Sequence, residues 1–267
     1  MTFPATIWAL LAAAVIVSAI GFQNYVWFIS IGYGFSVAAE GALMLILFSG
    51  DLTAGTVPLC CLLIAYGCRL GGYLACREAK SASYRKNMVG EIKDGKTVSL
   101  GAKCAIWLSC AALYVTQVTP VYYRLANGAG SSISGFLGAA IMACGLILES
   151  AADLQKNAAK KKNPHRFVDT GLYRLVRCPN YLGEMLFWTG VLVSGFGALR
   201  GAGQWILALI GYCGIVFVMF SGARRLELRQ NRNYGADPDY RVYVKTVPIL
   251  LPFVPLYSVE KYKWLIA

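Results

Sequence analysis

Five ionisable side chains lie within, or at the edges of, stretches of sequence that are otherwise apolar. They are Glu40, Arg69, Glu149, Asp153 and Glu184. Near the centre of a bilayer each charged group costs roughly 2.5–3.5 kcal/mol or more unless it faces a partner or water. These side chains must therefore point into the protein interior. Two uses are open: structural ion pairs, for example of Arg69 with a carboxylate, or the lining of a polar cavity.

The spacing of polar residues in these stretches predicts three polar helix faces. Side chains three or four positions apart lie on the same face of a helix. The three stripes defined in this way are Tyr66, Arg69, Tyr73 and Arg77; Glu149, Asp153, Lys156 and Lys160; and Asn180 and Glu184, with Trp188 one turn further on. All three run toward basic segments. They favour a pocket with cations at its mouth and hydrogen-bond acceptors deeper inside.

Such a pocket suits a ligand with phosphate groups at one end and hydrogen-bond donors at the other. Lys156, Arg166 and Arg177 could hold phosphates. A helix that begins at Pro179 would add oriented N–H groups and a favourable dipole. Acceptors for ribose hydroxyls or an amide are available from Asp153, Asn180 and Glu184. The alternative is that the basic residues, above all the lysine run 160–162, only anchor loops at anionic headgroups.

The composition indicates a membrane protein with several helical spans. The chain of 267 residues is 57% hydrophobic and only 14% charged, against roughly 25% charged in typical soluble proteins. A helix needs on the order of 20 apolar residues to cross a bilayer. Seven runs near this length are predicted spans: about 4–22, 26–48, 55–76, 99–119, 132–152, 181–198 and 203–222. We predict an all-α polytopic membrane fold that forms a single domain over 1–267.

The distribution of positive charge predicts the orientation. Nineteen of the 25 Lys and Arg residues fall within 77–96, 153–181 and 222–246. With seven spans these segments lie on one side of the membrane. The positive-inside rule places that side in the cytosol, with the N-terminus outside and the C-terminus inside. The net charge of +12 then reflects topology and does not indicate nucleic-acid binding.

Cysteine and histidine usage indicates neither a disulfide framework nor a metal site. The nine Cys residues lie mostly inside apolar segments without paired CxxC spacing, and His165 is the only histidine. Residues 1–22 lack a basic segment and a clear cleavage site, so we expect a retained helix rather than a signal peptide. The polar segment 77–98 is expected to end one helix and continue as a loop. The Pro-punctuated run 247–257 is expected to lie at the membrane interface.

Four segments carry a resemblance to a known family. They are "AYGCRLGGYL" at 65–74, "ADLQK" at 152–156, "RFVDTGLYRLVRCPNYLGEMLFWTG" at 166–190 and "PDYRVY" at 238–243. Together they resemble the steroid 5-alpha-reductase family, the 3-oxo-5-alpha-steroid 4-dehydrogenase-like, DUF1295-type membrane reductases. The resemblance covers about the C-terminal three quarters of the chain. It implies a seven-helix membrane fold in which 1–98 supply substrate-side helices and 99–267 bind NADPH from the cytosolic side.

The resemblance also implies a reaction, the reduction of the carbon–carbon double bond of an α,β-unsaturated ketone in a steroid or other lipid. Hydride would pass from NADPH to the beta carbon while an acid polarises the carbonyl. Tyr66 matches the tyrosine of the family, and an oriented hydroxyl is most effective where negative charge develops. The family pairs this tyrosine with a glutamate on the second helix, where Glu40 is the available acid, although its surroundings "SVAAEGAL" do not reproduce the family's Gln-Glu pair.

A set of cofactor-binding residues follows from the resemblance and the polar stripes. The predicted cofactor-binding residues are Arg69, Arg77, Asp153, Lys156, Arg166, Arg177, Asn180, Glu184 and Arg225. No Gly-x-Gly-x-x-Gly follows a strand, so a Rossmann unit is not expected. The implied partners are the lipid bilayer and a lipophilic enone, with no nucleic acid and no metal. We expect a monomer in a bacterial inner membrane or an endoplasmic reticulum, with an active site that opens to the cytosol.

Two other classes of function remain open. The isoprenylcysteine carboxyl methyltransferases bind S-adenosylmethionine, share this C-terminal architecture and prefer Arg-His-Pro where this chain has Arg177, Cys178 and Pro179. Cys178 departs from the reductase pattern as well, because many reductases also carry His there, whereas Asn180 and Glu184 favour the reductase. A non-enzymatic lipid-binding or transport protein is the third class. Transporters often show repeated halves and paired broken helices, and the sequence displays neither.

Overall fold

Apolar segments in lipid must satisfy their backbone groups internally, and an α-helix does so within one segment. The computed structural model describes residues 4–80 and 98–266, and the secondary structure of these residues is helical, without strands. The α-helices within these ranges are α1 Ala5–Ser18, α2 Ile31–Leu47, α3 Val57–Lys80, α4 Leu100–Ala126, α5 Ile133–Lys162, α6 Pro179–Ser194, α7 Gly201–Tyr234 and α8 Pro238–Thr246. Short 3-10 turns lie at Ala19–Phe22, Tyr25–Ile29 and Gly171–Arg174.

Five of the described helices are long and apolar enough to cross a membrane, as expected of an integral membrane protein. They are Ala5–Phe22, which adds a 3-10 turn to α1, and α3, α4, α5 and α7. The predicted spans 26–48 and 181–198 coincide with shorter helices, α2 of 17 residues and α6 of 16. Residues 25–29 form a 3-10 turn instead of the first turn of α2. The count of seven spans therefore stays a prediction, and the remainder of the predicted loop 77–98 beyond α3 falls largely outside the described residues.

The chain divides into two compact units, to which α5, α6 and α7 each contribute residues on both sides of the division. The first unit takes its described residues from 4–139 and 191–211, and the second from 140–190 and 212–266. The predicted single domain, and its division at residue 98, stay predictions. The predicted site residues Glu40, Tyr66, Arg69 and Arg77 belong to the first unit, and the others to the second.

Hydrogen bonds between side chains and backbone join the helices of the first unit. The indole of Trp107 on α4 donates to the Val15 carbonyl oxygen at 3.0 Å and lies 3.1 Å from the Ser18 hydroxyl. Arg124, 1% exposed at the other end of α4, donates to the carbonyl oxygens of Ser194 and Gly130 at 2.7 and 2.9 Å. Lipid offers such groups no partner, so these bonds hold the helices and loops in one arrangement.

Aromatic packing orders the polar part of the second unit. The ring of Phe167 lies 5.2 Å from that of Tyr240 and 5.3 Å from that of Tyr243, both on α8. The short helix begins there because Pro238 suits the first turn and the side chain of Asp237 accepts hydrogen bonds from the next turn. The Tyr243 hydroxyl donates to the Tyr173 carbonyl oxygen at 2.7 Å. This contact fixes the loop that leads into α6.

Candidate functional site

The first unit contains a buried cluster of hydroxyl and carboxyl groups. Tyr66 on α3 is 0% exposed, and its hydroxyl lies 3.1 Å from that of Tyr33 on α2. The Tyr33 ring in turn lies 5.1 Å from the ring of Tyr114 on α4. Glu40, also 0% exposed, lies close enough to Tyr114 to interact with it electrostatically. The two catalytic residues predicted from the sequence, Tyr66 and Glu40, thus share one polar interior.

Glu40 is the most unusual member of this cluster. Neither of its carboxylate oxygens has a hydrogen-bond partner within residues 4–80 and 98–266. A buried carboxyl group without partners carries the full desolvation cost of its ionised form. Natural interiors retain such a group where it has a chemical role or meets a ligand.

Glycine contacts position Tyr66 in this cluster. A Cβ added at Gly67 on α3 would lie 2.3 Å from the Gly34 carbonyl oxygen on α2, and one added at Gly34 would lie 2.5 Å from the Gly71 nitrogen. The backbones of α2 and α3 therefore touch, as small residues allow in membrane helices. Tyr33 and Tyr66 each precede one of these glycines, so the close crossing brings their hydroxyl groups together.

The polar face predicted for α3 is confirmed from Arg69 to Arg77, in the C-terminal half of the helix. The guanidinium carbons of Arg69 and Arg77 lie 5.5 and 5.7 Å from the centre of the Tyr73 ring, within the range of cation–π contacts. Both arginines were predicted to bind the cofactor. The structure brings them together around Tyr73 on one face of the helix, and their role toward a ligand stays a prediction.

A second close helix crossing organises the acidic residues of the second unit. A Cβ added at Gly183 on α6 would lie 2.6 Å from the Glu149 nitrogen on α5. A Cβ added at Gly145 would lie 2.4 Å from the Phe187 nitrogen. Glu149, Asp153 and Glu184 are 3%, 8% and 6% exposed. Glu184 directly follows Gly183, so the crossing places carboxyl groups of both helices in the interior of this unit.

Cations surround the N-terminus of α6. The helix begins at Pro179, as predicted, and Asn180 in its first turn is partly exposed. Arg225 and Arg229 on α7 and Glu184 all interact electrostatically with the Tyr181 hydroxyl. Lys156 on α5 interacts in the same way with Cys178. Of the predicted cofactor residues, Lys156, Glu184 and Arg225 are therefore brought to the first turns of α6.

Cys178 and its neighbour fix the approach to this helix. The backbone nitrogens of Arg177 and Cys178 donate to the carbonyl oxygens of Pro248 and Ile249 at 2.9 and 3.0 Å. Cys178 is 2% exposed. Burial raises the pKa of its thiol to about 12, against an opposing effect of the Arg177 charge. A neutral, unreactive thiol therefore lies directly before the first residue of α6.

Arg177 forms a buried ion pair that the sequence did not reveal. Its Nη2 lies 2.9 Å from Glu227 Oε1, with side chains 1% and 3% exposed, and it also donates to the Tyr257 carbonyl oxygen. Glu227 Oε2 accepts the backbone N–H of Val259 at 2.8 Å. Arg177 thereby ties α7 to the C-terminal segment. The signal available in the sequence was the isolated acid within the basic run 224–232.

Two further basic residues are engaged in surface contacts. Arg166 donates to Asp169 at 2.8 Å, and this hydrogen bond and the Asp169 charge raise the pKa of its guanidinium. Lys160 donates to the carbonyl oxygens of Pro164 and Arg166 and to the Tyr234 hydroxyl, at 3.1, 2.6 and 2.8 Å. Lys160 therefore closes the end of α5 onto the following loop. The predicted phosphate contact of Arg166 stays a prediction.

Sequence reasoning also missed Gln117 on α4. It is 3% exposed, and neither atom of its amide has a hydrogen-bond partner in the described part of the chain. It lies one turn from Tyr114, which shares the interior of the first unit with Glu40. A single amide in an apolar helix carries little sequence signal unless its neighbours in space are known.

The fold and these buried groups define an integral membrane protein with ionisable side chains gathered inside its helices. The DUF1295 family, described as a protein family of unknown function, matches residues 12–247, and the chain belongs to this family. No curated protein and no solved structure matches it.

Proposed function

We propose that the chain reduces the carbon–carbon double bond of an α,β-unsaturated ketone in a steroid or other lipid, with NADPH as the hydride donor. The observation that carries the proposal is the Tyr66 hydroxyl, which is fully buried, 3.1 Å from the Tyr33 hydroxyl, and in the same interior as Glu40. The resemblance of four sequence segments to the steroid 5-alpha-reductases supplies the reaction class.

The chemistry asks the protein for a proton donor at the carbonyl oxygen. Bound NADPH would supply a hydride to the beta carbon of the enone, and negative enolate charge would then develop on the carbonyl oxygen. Tyr66 donates a hydrogen bond or a proton to that oxygen from a fully buried position, where such a donor is most effective. Tyr33 holds the phenol in place, with its hydroxyl 3.1 Å away, and the Glu40 carboxyl, which has no hydrogen-bond partner in the described part of the chain, is available to the substrate. Protonation of the alpha carbon from solvent, with return of the oxygen's proton to the Tyr66 phenolate, completes the saturated ketone.

The second unit offers groups that fit NADPH. Its phosphates need cations, which Lys156, Arg225 and Arg229 supply around the first turns of α6. The helix N-terminus adds a favourable dipole for the same charges. Its ribose hydroxyls and carboxamide need acceptors, and the buried carboxyl groups of Asp153 and Glu184 provide them.

The proposal includes a topology. All seven apolar segments cross the membrane, α2 and α6 as short spans, with the N-terminus outside and the C-terminus in the cytosol. The confinement of nineteen of 25 Lys and Arg residues to 77–96, 153–181 and 222–246 supports this arrangement. A fluorescent protein fused to Ala267 should then fluoresce in the cytosol, and an N-terminal fusion should be translocated. Exchange of these two results would refute the orientation.

Enzyme assays test the reaction. Purified protein in lipid should oxidise NADPH when a 3-oxo-4-ene steroid or a comparable enone is added. The variant Tyr66→Phe should lose on the order of 10²-fold or more in kcat, the usual effect of removing one oriented donor, while NADPH binding is retained. The matched control is Tyr122→Phe, because Tyr122 is also a fully buried tyrosine of the first unit. Unchanged turnover in Tyr66→Phe would show that Tyr66 is a packing residue.

Ligand-dependent stability tests the cofactor. NADPH at about 100 times its dissociation constant should stabilise the protein by about 2.7 kcal/mol. Glu184→Gln should abolish most of this stabilisation, because the carboxylate is proposed to accept hydrogen bonds from the ligand. Stabilisation by S-adenosylmethionine instead of NADPH would overturn the reductase in favour of a methyltransferase.

A further inference from the structure

In the C-terminal segment from 248 to 266 some apolar side chains point into the protein interior and others point outward. Val259 and Leu265 are 1% and 2% exposed and pack into the second unit. Trp264 and Ile266, on either side of Leu265, are 65% and 79% exposed. Large exposed apolar side chains at the end of a chain otherwise held by buried anchors indicate a surface that contacts something apolar.

The position of Trp264 shows what that surface faces. Its ring stacks on Phe217 of α7, with ring centres 6.1 Å apart and planes 17° from parallel. Phe217 lies in the apolar part of α7, a helix long and apolar enough to cross a membrane, and is 36% exposed. In a membrane its free face would contact acyl chains. Trp264 therefore continues the lipid-facing surface of a membrane-spanning helix.

Arg224 sets the depth of this segment along α7. Its Nε donates to the Glu260 carbonyl oxygen at 3.1 Å, and its Nη1 lies 3.5 Å from the Leu265 carbonyl oxygen. Arg224 begins the basic end of α7, and Phe217 lies about 10 Å further into the apolar part at 1.5 Å per residue. The backbone of residues 260–265 thus lies at the level of Arg224, and the Trp264 side chain reaches from there to Phe217. This is the depth at which tryptophan rings concentrate in membrane proteins.

Basic residues lie beside this apolar surface. Lys261 and Lys263 are both exposed and lie within three residues of Trp264. Arg224 adds a third cation at the same level. Cations beside an apolar anchor are attracted to anionic headgroups, by about 1 kcal/mol for each Lys near the surface.

We propose that residues 261–266 form a membrane-binding element that lies at the boundary between headgroups and acyl chains of the leaflet at the polar end of α7, and that it binds anionic lipid in preference to neutral lipid. Trp264 and Ile266 insert among the acyl chains, while Lys261 and Lys263 bind the headgroup phosphates. The element holds the C-terminal segment at the membrane. This segment includes Val259, whose backbone N–H donates to Glu227.

Fluorescence of Trp264 in the intact, reconstituted chain tests the insertion. The difference between the emission of the wild-type protein and that of Trp264→Phe isolates the signal of this residue among six tryptophans. Lipids brominated near the headgroup end of the acyl chain should quench this component strongly, and aqueous acrylamide should quench it weakly. The same difference for Trp8→Phe is the positive control, because Trp8 is 57% exposed on the apolar helix α1. Quenching by acrylamide without quenching by bromolipid would overturn the proposal.

Lipid selectivity is measured separately. Energy transfer from Trp264 to dansyl-labelled phosphatidylglycerol should exceed transfer to dansyl-labelled phosphatidylcholine, and Lys261→Gln with Lys263→Gln should remove that excess. The expected enrichment is about fivefold for each lysine, the factor that corresponds to about 1 kcal/mol. Equal transfer to both lipids in the wild-type protein would overturn the anionic preference. Both readouts are independent of catalysis.

Discussion

Substitution of a single glycine in α3 should separate the two helices that hold the Tyr66 cluster. A Cβ at Gly67 would lie 2.3 Å from the Gly34 carbonyl oxygen and 2.5 Å from the Ala38 nitrogen. Ordinary contacts between such atoms are about 3.5 Å, and backbone atoms have no other rotamer to adopt. Gly67→Ala therefore moves α2 and α3 apart by about 1 Å. The distance between the Tyr33 and Tyr66 hydroxyls then grows from 3.1 Å beyond hydrogen-bonding range.

The expected energy follows from two opposing effects. Overpacking costs typically about 1–3 kcal/mol, while replacement of a helical glycine by alanine gains about 1 kcal/mol. We expect a net loss of up to about 2 kcal/mol, and each kcal/mol lowers the Tm by about 2–4 °C for a chain of this size. The rate of the proposed reduction should fall by more than the loss of stability explains, because the Tyr66 hydroxyl is displaced. Circular dichroism on heating and the NADPH oxidation assay measure the two effects.

Gly72, five residues further along the same helix, is the matched control. An added Cβ there meets no atom within 4 Å, so Gly72→Ala carries only the favourable propensity effect. This variant should be as stable as the wild-type protein or more so, with unchanged turnover. If Gly67→Ala behaves like Gly72→Ala, the backbones of α2 and α3 do not touch as described and the reasoning is refuted.

Three further substitutions test buried polar groups. Arg124→Lys should lower the free energy of unfolding by about 2–4 kcal/mol, because lysine cannot reproduce the guanidinium fork that reaches several carbonyl oxygens. A loss below ~0.5 kcal/mol in thermal unfolding would contradict this prediction. Glu227→Gln should lower the free energy of unfolding by about 3–5 kcal/mol, because the Arg177 charge is left buried without its partner. The double variant Arg177→Met with Glu227→Leu should recover much of this loss in the same assay. Equal losses in the two variants would argue against a buried pair. Cys178 should resist a maleimide at about pH 8 in the folded protein while the exposed Cys76 reacts, as mass spectrometry of the labelled peptides would show. Labelling of Cys178 and Cys76 at equal rates would contradict the burial of Cys178. The stability that the neutral Cys178 thiol contributes is present below about pH 8.5 and is lost as the pH rises toward its folded pKa of about 12.

Helix periodicity allowed much of this arrangement to be predicted. Arg69, Tyr73 and Arg77 were placed on one face by spacing alone, and their side chains are in contact. Pro179 was predicted to begin a helix, and α6 begins there. Both predictions depend on properties within one helix, namely the rotation per residue and the missing N–H of proline. Such properties can be read from sequence without knowledge of any neighbour.

Features that depend on neighbours in space could not be predicted in this way. Glu227 lies 50 residues from Arg177 along the chain, and although it is an isolated acid in a basic run, its local sequence does not identify Arg177 as its partner. Lys160 was assigned to a polar stripe, yet its ammonium group contacts the loop that follows α5. A flexible side chain chooses among several partners within its reach, and spacing does not decide among them.

Each unit uses the same device to position its predicted functional side chain. Gly67 follows Tyr66 and touches α2, and Gly183 precedes Glu184 and touches α5. Lipid is as apolar as a leucine side chain, so helices in a membrane gain little from burying apolar surface and associate through close packing. A backbone contact is the most rigid form of that packing, because it has no rotamers. A side chain adjacent to such a contact is held firmly in position, which gives a reason for glycine, a poor helix former, beside the predicted functional residues Tyr66 and Glu184.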